Sequence, residues 1–321
     1  MGVILLLAAG VLWSLNGALI KLIHESGRGP NGITIAFYRS LIAGLFLLPL
    51  ARGKLHTLRG KQNHGIVNRK ATRDQSSMIR HLLIVILHSP LGLRPAAICC
   101  VVFFTLMTVC FIMANIKTEA ANAIILQYTS TFWVFGLSPW LLRERPQTTD
   151  LWTLALAMAG ITIIFVGNAA TDLVGLLIAL ASGVFYALLT LMIRLMRDSD
   201  SAAITVVNNL GSALLLLPAV ILVGSLIVSP RAALLLVVMG VVQFGLPYYL
   251  YTLGLVRIPA YQAALLTMIE PVLVPLWAYW AVGETVPLTT VIGGGAILVA
   301  LVLFVLAIGR GGKPVTVQTG P

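Results

Sequence analysis

Charge is what this sequence is short of. Only 10% of its 321 residues are Asp, Glu, Lys or Arg, where a soluble domain carries about 25%, and that shortfall excludes a water-soluble globule of this length. Acidic residues are scarcest, ten in all, and five histidines and three cysteines complete a thin stock of metal ligands and nucleophiles. Cys99, Cys100 and Cys110 share one apolar segment without zinc-like spacing and read as small apolar residues. His24 lies in a loop, and His56, His64, His81 and His88 lie in one stretch with no partnering acid cluster. No catalytic residue, metal or cofactor is therefore expected, and a membrane-embedded enzyme acting on a lipid substrate stands as the alternative reading. The alternation of a β-barrel is also missing.

What the chain has instead is apolar length. Hydrophobic residues make up 59% of it, and its mean hydropathy is +0.99. Ten apolar runs, at about 3–23, 32–51, 96–115, 119–141, 151–167, 173–195, 202–224, 232–254, 259–281 and 287–308, each approach the ~20 residues that cross a hydrocarbon core. Helices are required, because backbone groups in lipid must bond within their own segment. The expectation is an all-α polytopic membrane protein with ten transmembrane helices. The opening MGVILLLAAGVLWSLNGALIKLI reads as a retained first helix, since it lacks a basic leader and a clean small-residue cleavage site. With a cytoplasmic N-terminus, the 21 Lys and Arg divide unevenly: 16 fall in cytoplasmic connections, Lys21, Arg28, Lys117 and Arg231 fall outside, and Arg39 lies within a helix. That bias predicts both termini in the cytoplasm, and it explains the net charge of +11 without nucleic acid.

An internal repeat divides the chain. GVLWSLNGALIKLI (10–23) aligns without gaps on GVFYALLTLMIRLM (183–196) at an offset of 173, and Lys117 to Glu144 aligns on Arg257 to Glu284 at an offset of 140. Two five-helix repeats result, 1–167 and 168–309, followed by a cytoplasmic tail, 310–321. Five is odd, so the halves are expected to be inverted in the membrane, an arrangement that secondary transporters use to build a substrate site between them. The two offsets differ by 33 residues, which fall at about 61–93 within a basic insertion spanning about 53–93. Its run IRHLLIVILH is too short to cross, and a cytoplasmic loop with a surface-lying helix is expected.

Nine of the ten acidic residues lie in loops or at helix ends, and Glu270 alone sits deep in a span. A charge there costs about 2.5–3.5 kcal/mol on insertion scales, so it is a functional candidate by default. The adjoining Pro271 removes an amide and frees the carbonyl of residue 267, marking a helix kink. Arg39 is the one basic residue buried in a span. At 1.5 Å per residue it lies roughly 12 Å from the outer end of the second helix, and Glu270 roughly 16 Å from the inner end of the ninth. Both are near mid-depth. They can form a charge pair that locks one conformation, or act as separate poles for a zwitterion, and a permanent pair would compete with proton binding by Glu270.

Other polar groups recur at equivalent positions. Asn208 aligns with Arg39, Ser130 with Glu270, Thr131 with Pro271, and the mid-span aromatic Trp13 with Tyr186. Asn16, Gln127, Tyr128 and Gln243 join them as candidates for binding or coupling. Gly293-Gly294-Gly295 in the last run fits close helix packing, inside one chain or between copies in a homo-oligomer.

The segments AFYRSLIAGLFLLPL, YTSTFWVFGLSPWLLRERP and LTMIEPVLVPLWAYWAVGET, set in ten helices of two inverted halves, resemble the EamA family of the drug/metabolite transporter superfamily. The resemblance covers nearly the whole chain except about 53–93. It implies a secondary transporter of small metabolites, often an exporter of amino acids or related compounds, in a bacterial inner membrane, with membrane lipids, a small-molecule substrate and protons as partners. Members usually carry a proline near the middle of the fourth helix, where this chain has Thr131, so the first half is expected to be less kinked than the second.

Overall fold

Apolar runs without water to satisfy their amides fold as helices. The computed structural model describes residues 1–24, 29–52, 54, 95–117, 120–167, 173–283 and 288–310. The insertion expected at about 53–93, Lys54 apart, and the tail from 311 lie outside the described residues.

Ten helical units follow one another among the described residues. α1 is Gly2–Trp13 and, after a break, Asn16–His24; α2 is Gly32–Ala51; α3 is Pro95–Lys117; α4 is Ala120–Gln127 and Ser130–Leu141; α5 is Thr148–Gly167. In the second half α6 is Leu173–Leu195 and α7 is Ser201–Val223. α8 runs Pro230–Val238, then a π-helical turn Met239–Gly245, then Leu246–Arg257; α9 is Ala260–Leu266 and Ile269–Val282; α10 is Leu288–Arg310. Polar caps set several starts. The Asn31 side chain accepts the Thr34 amide at 2.9 Å, and Asp200 accepts the amides of Ala202 and Ala203 at 3.0 and 3.1 Å. Gly283 ends α9 at φ +70°, a left-handed turn that glycine adopts without steric cost.

Nine of the units are long and apolar enough to cross a membrane, among the described residues. α4 is the exception to the ten expected, because Gln127, Tyr128, Thr129, Ser130 and Thr131 stand in a row at its middle. Large apolar side chains such as Phe46, Trp152, Leu222 and Val302 face outward. In water such a surface would aggregate, and on an integral membrane protein it meets lipid.

The packing has an internal order. α3 lies along α6 as α8 lies along α1; α4 touches α6 as α9 touches α1; and α2 pairs with α7, α5 with α10, and α4 with α9. Exchanging each helix for the one five places on maps this set of contacts onto itself, as expected of duplicated halves. The α5–α10 contact depends on Gly160 and Gly293, where a Cβ on either would run into the carbonyl of the other. Gly293 is thus used inside the chain, while Gly295 faces open space.

Candidate functional site

Three helices break where they meet at the centre of the bundle. In α9 the break falls at Thr267-Met268, so Pro271 becomes the third residue of the half-helix Ile269–Val282. An amide there has no intrahelical partner, and its loss costs little. The carbonyl that Pro271 leaves free, on Thr267, accepts the Glu270 amide at 3.0 Å and lies 2.8 Å from the Tyr128 hydroxyl. Glu270 sits in the first turn of this half-helix, where the aligned peptide dipoles favour a negative charge.

α4 breaks at the equivalent place without a proline, contrary to the expectation of a less kinked first half. Two causes are visible. Thr129 turns its hydroxyl back onto the Leu126 carbonyl at 2.6 Å, a local bond that competes with the helix. α6 also presses against the break through Gly183, where a Cβ would lie within 2.9 Å of the Leu126 and Gln127 carbonyls. Its repeat partner Gly10 plays the same part in α1, lying against Ile269 and Thr267 at the α9 break. α1 itself breaks at Ser14-Leu15: Ser14 bonds back to the Val11 carbonyl at 2.6 Å and accepts the Trp277 indole N–H at 2.7 Å. Gln243, from the π-turn of α8, reaches the Trp13 carbonyl at 3.4 Å.

Between the breaks lies a cavity of about 40 Å³, lined by Trp13, Asn16, Arg39, Met107, Phe111, Gln127, Tyr186, Gln243, Phe244, Tyr248 and Glu270. It gathers side chains from α1, α2, α3, α4, α6, α8 and α9. Arg39 is almost fully buried; its guanidinium lies over the Phe244 ring, 4.2 Å from the centroid, and one Nη approaches Asn16 Oδ1 at 3.4 Å. Its Nε has no hydrogen-bond partner among the described residues. Glu270 accepts the Tyr128 hydroxyl at 2.6 Å through Oε2. No ion pair within 4 Å joins Arg39 to Glu270, although both face the same space. Aromatic rings wall it. Trp13 meets Tyr248, Tyr251 and Tyr186 at centroid distances of 4.8, 5.1 and 6.3 Å, and Phe104 meets Phe244 at 5.4 Å. Trp13 and Tyr186, equivalent in the repeat, thus touch one another. The Trp13 indole N–H and the Gln243 Oε1 are buried and have no hydrogen-bond partner among the described residues, which makes them polar groups available to a ligand.

Of the residues singled out in the sequence, Glu270, Arg39, Asn16, Trp13 and Tyr186 line this cavity, with Gln127 and Gln243. Asn208 and Ser130 are buried but are not among the lining residues, and Pro271 stands one residue behind Glu270. The sequence reading passed over Tyr248, Phe244, Met107 and Phe111. A signal for some of them existed: the offset of 140 continues into the third and eighth helices, pairing Phe104 with Phe244 and Phe111 with Tyr251.

A second polar cluster ties together the ends of four helices. Arg194, closing α6, donates from Nε to Glu144 at 2.6 Å and from Nη1 to the Leu255 and Val256 carbonyls of α8. The other oxygen of Glu144 accepts the Ala260 amide that opens α9, at 2.8 Å. Glu144 thus joins the end of α4 to α6 and α9.

The model of the EamA-like transporter family matches residues 1–166 and again residues 173–306. An uncharacterized transporter of Archaeoglobus fulgidus is 32% identical over 203 residues, 62% of this chain and 73% of that protein. The uncharacterized transporter YwfM of Bacillus subtilis is 27% identical over 198 residues, 60% of this chain and 67% of its own length. A protein of known crystal structure shares the fold, with a TM-score of 0.72 at 17% identity over 97% of this chain and 99% of that one.

Proposed function

The chain belongs to the EamA-like transporter family, and from that premise we propose that it is a secondary transporter moving a small polar metabolite, an amino acid or related compound, by alternating access. Ten membrane crossings in two inverted five-helix halves, 1–167 and 168–309, supply the two rocking bodies. Both termini lie in the cytoplasm of a bacterial cell, the inner membrane is the host, and export is the direction. No chemical reaction on the substrate is inferred.

The observation that carries this reading is the placement of Arg39 and Glu270 in one aromatic-walled cavity without an ion pair between them. A pair would satisfy both and leave nothing for a ligand. Held apart, they act as separate poles: Arg39, with Asn16, for a carboxylate, and Glu270 for an ammonium or a proton. Ordinary ligand pockets measure roughly 300–1,000 Å³, so a cavity of about 40 Å³ must widen to admit a metabolite. The breaks in α1, α4 and α9 give the half-helices that line it places to hinge.

The test is uptake and efflux in reconstituted vesicles across a panel of amino acids, with and without a pH gradient. Wild type is expected to respond to the gradient, and Glu270→Gln is expected to lose that response. Equal rates and equal gradient dependence in the two proteins would refute the role given to Glu270.

A further inference from the structure

The contact between α4 and α9 sets one hydroxyl proton between two oxygens. A phenol has one proton, yet the Tyr128 hydroxyl stands 2.8 Å from the Thr267 carbonyl and 2.6 Å from Glu270 Oε2. The carbonyl can only accept. If Tyr128 gives its proton to Thr267, its oxygen can face Glu270 at this distance only as an acceptor, and Glu270 must carry a proton of its own to donate. If Glu270 is ionised, the Tyr128 proton turns to the carboxylate, and the Thr267 carbonyl keeps only the Glu270 amide, at 3.0 Å.

We infer that Tyr128 is a positioning residue whose single hydroxyl proton links the protonation of Glu270 to the break in α9. The inference rests on the reading of Glu270 as the proton-carrying group of the transport site. Proton balance is simple. With Glu270 protonated, two hydrogen bonds run in series, from Glu270 to Tyr128 and from Tyr128 to Thr267; when the carboxyl proton leaves through the cavity, the Tyr128 O–H rotates to the carboxylate and the carbonyl freed by Pro271 is released. One proton leaves, the Tyr128 hydrogen bond moves from Thr267 to Glu270, and no other covalent bond breaks. The released carbonyl belongs to the hinge of α9, so a charge change on one side chain becomes a change in how two half-helices are joined.

The other titratable groups facing Glu270 across the cavity are Arg39 from α2, Tyr186 from α6 and Tyr248 from α8. α1 and α10, which also pack on the half-helix Ile269–Val282, carry no charged side chain over 2–20 and 288–308. Tyr128 is therefore the one phenol bonded to Glu270 among the described residues.

The experiment is an infrared pH titration of the full chain in lipid, reading the C=O stretch of a protonated carboxyl between about pH 4 and 9. Wild type is expected to show a titrating band that Glu270→Gln abolishes. Tyr128→Phe, which keeps the ring and removes the hydroxyl, should move that band to higher frequency, as a carboxyl losing its hydrogen-bond acceptor does, and move its midpoint by about one pH unit. A band present in wild type and unmoved in Tyr128→Phe overturns the inference and leaves the proposed function standing. Absence of the band in wild type overturns the inference together with the reading of Glu270 as a proton carrier, and leaves it as the pole for an ammonium. If Tyr128→Phe fails to fold, Glu270→Asp withdraws the carboxyl by one methylene from Tyr128, and the same upward shift is expected; an unshifted band again overturns the link.

Discussion

α4 and α9 hold equivalent places in the two halves, break at the same point and press on one another, yet they differ where it matters chemically. One carries Tyr128, Ser130 and Thr131; the other carries Met268, Glu270 and Pro271. The difference shows that the break is not the work of proline. Hydroxyl side chains and a glycine from a neighbouring helix interrupt α4 as surely as Pro271 accompanies the interruption of α9. Both halves carry the break, and one of them carries the acid.

The widest gap between the two helices is expected at the end of α4, where Glu144 holds Arg194 and the Ala260 amide. Glu144→Ala should lower stability by about 3–5 kcal/mol, because it strands a buried guanidinium; thermal unfolding in detergent reads this, and an unchanged midpoint would remove the cluster from the account. In the cavity between the breaks, Arg39→Ala should weaken substrate affinity by about 2–5 kcal/mol, more than tenfold, while Asn208→Ala, at its repeat partner, should change it little. Transport assays at varied substrate separate them, and equal losses would mean that Asn208 belongs in the site.

Smaller effects sharpen the symmetry. Gly183→Ala forces a methyl against fixed carbonyls of α4 and should cost about 1–3 kcal/mol. Gly10→Ala meets first the Cγ2 methyl of Ile269, a side-chain atom with the backbone carbonyl of Thr267 farther off, and should cost less. Denaturation of the two variants decides the order. Smallest of all, Thr131→Pro should cost under about 1 kcal/mol, since position 131 is already in the first turn of its half-helix and gives up one bond, from its amide to the Tyr128 carbonyl at 3.1 Å. A large loss would mean that the α4 break is stiffer than its geometry implies.

Helix positions were legible in the sequence because lipid demands length and uniform apolarity, and both can be counted. Glu270 and Arg39 were legible because a lone charge in such a run has no other reason to be there. The breaks in α1 and α4 were hidden: Ser14 and Thr129 are ordinary residues in membrane helices, and only packing against Trp277 and Gly183 turns them into interruptions. The bond from Tyr128 to Glu270 was hidden for a similar reason, since it spans 142 residues of chain and no local pattern announces it. The π-turn at Met239–Gly245 lies where Gly240 and Gly245 let α8 close on Ile42 and Ala43 of α2, a fit that only the assembled pair of helices reveals.

The knot of Arg194 and Glu144 behaves differently when parted than when truncated. Its two side chains are only 5% and 9% exposed, but Arg143 and Arg145 beside them are open to solvent, so separating the helix ends hands both ions to water together and hydration replaces what contact supplied. Truncating one partner offers no such exchange. The same joint is therefore fragile to mutation yet light to part, which is what the proposed alternating access would ask of it.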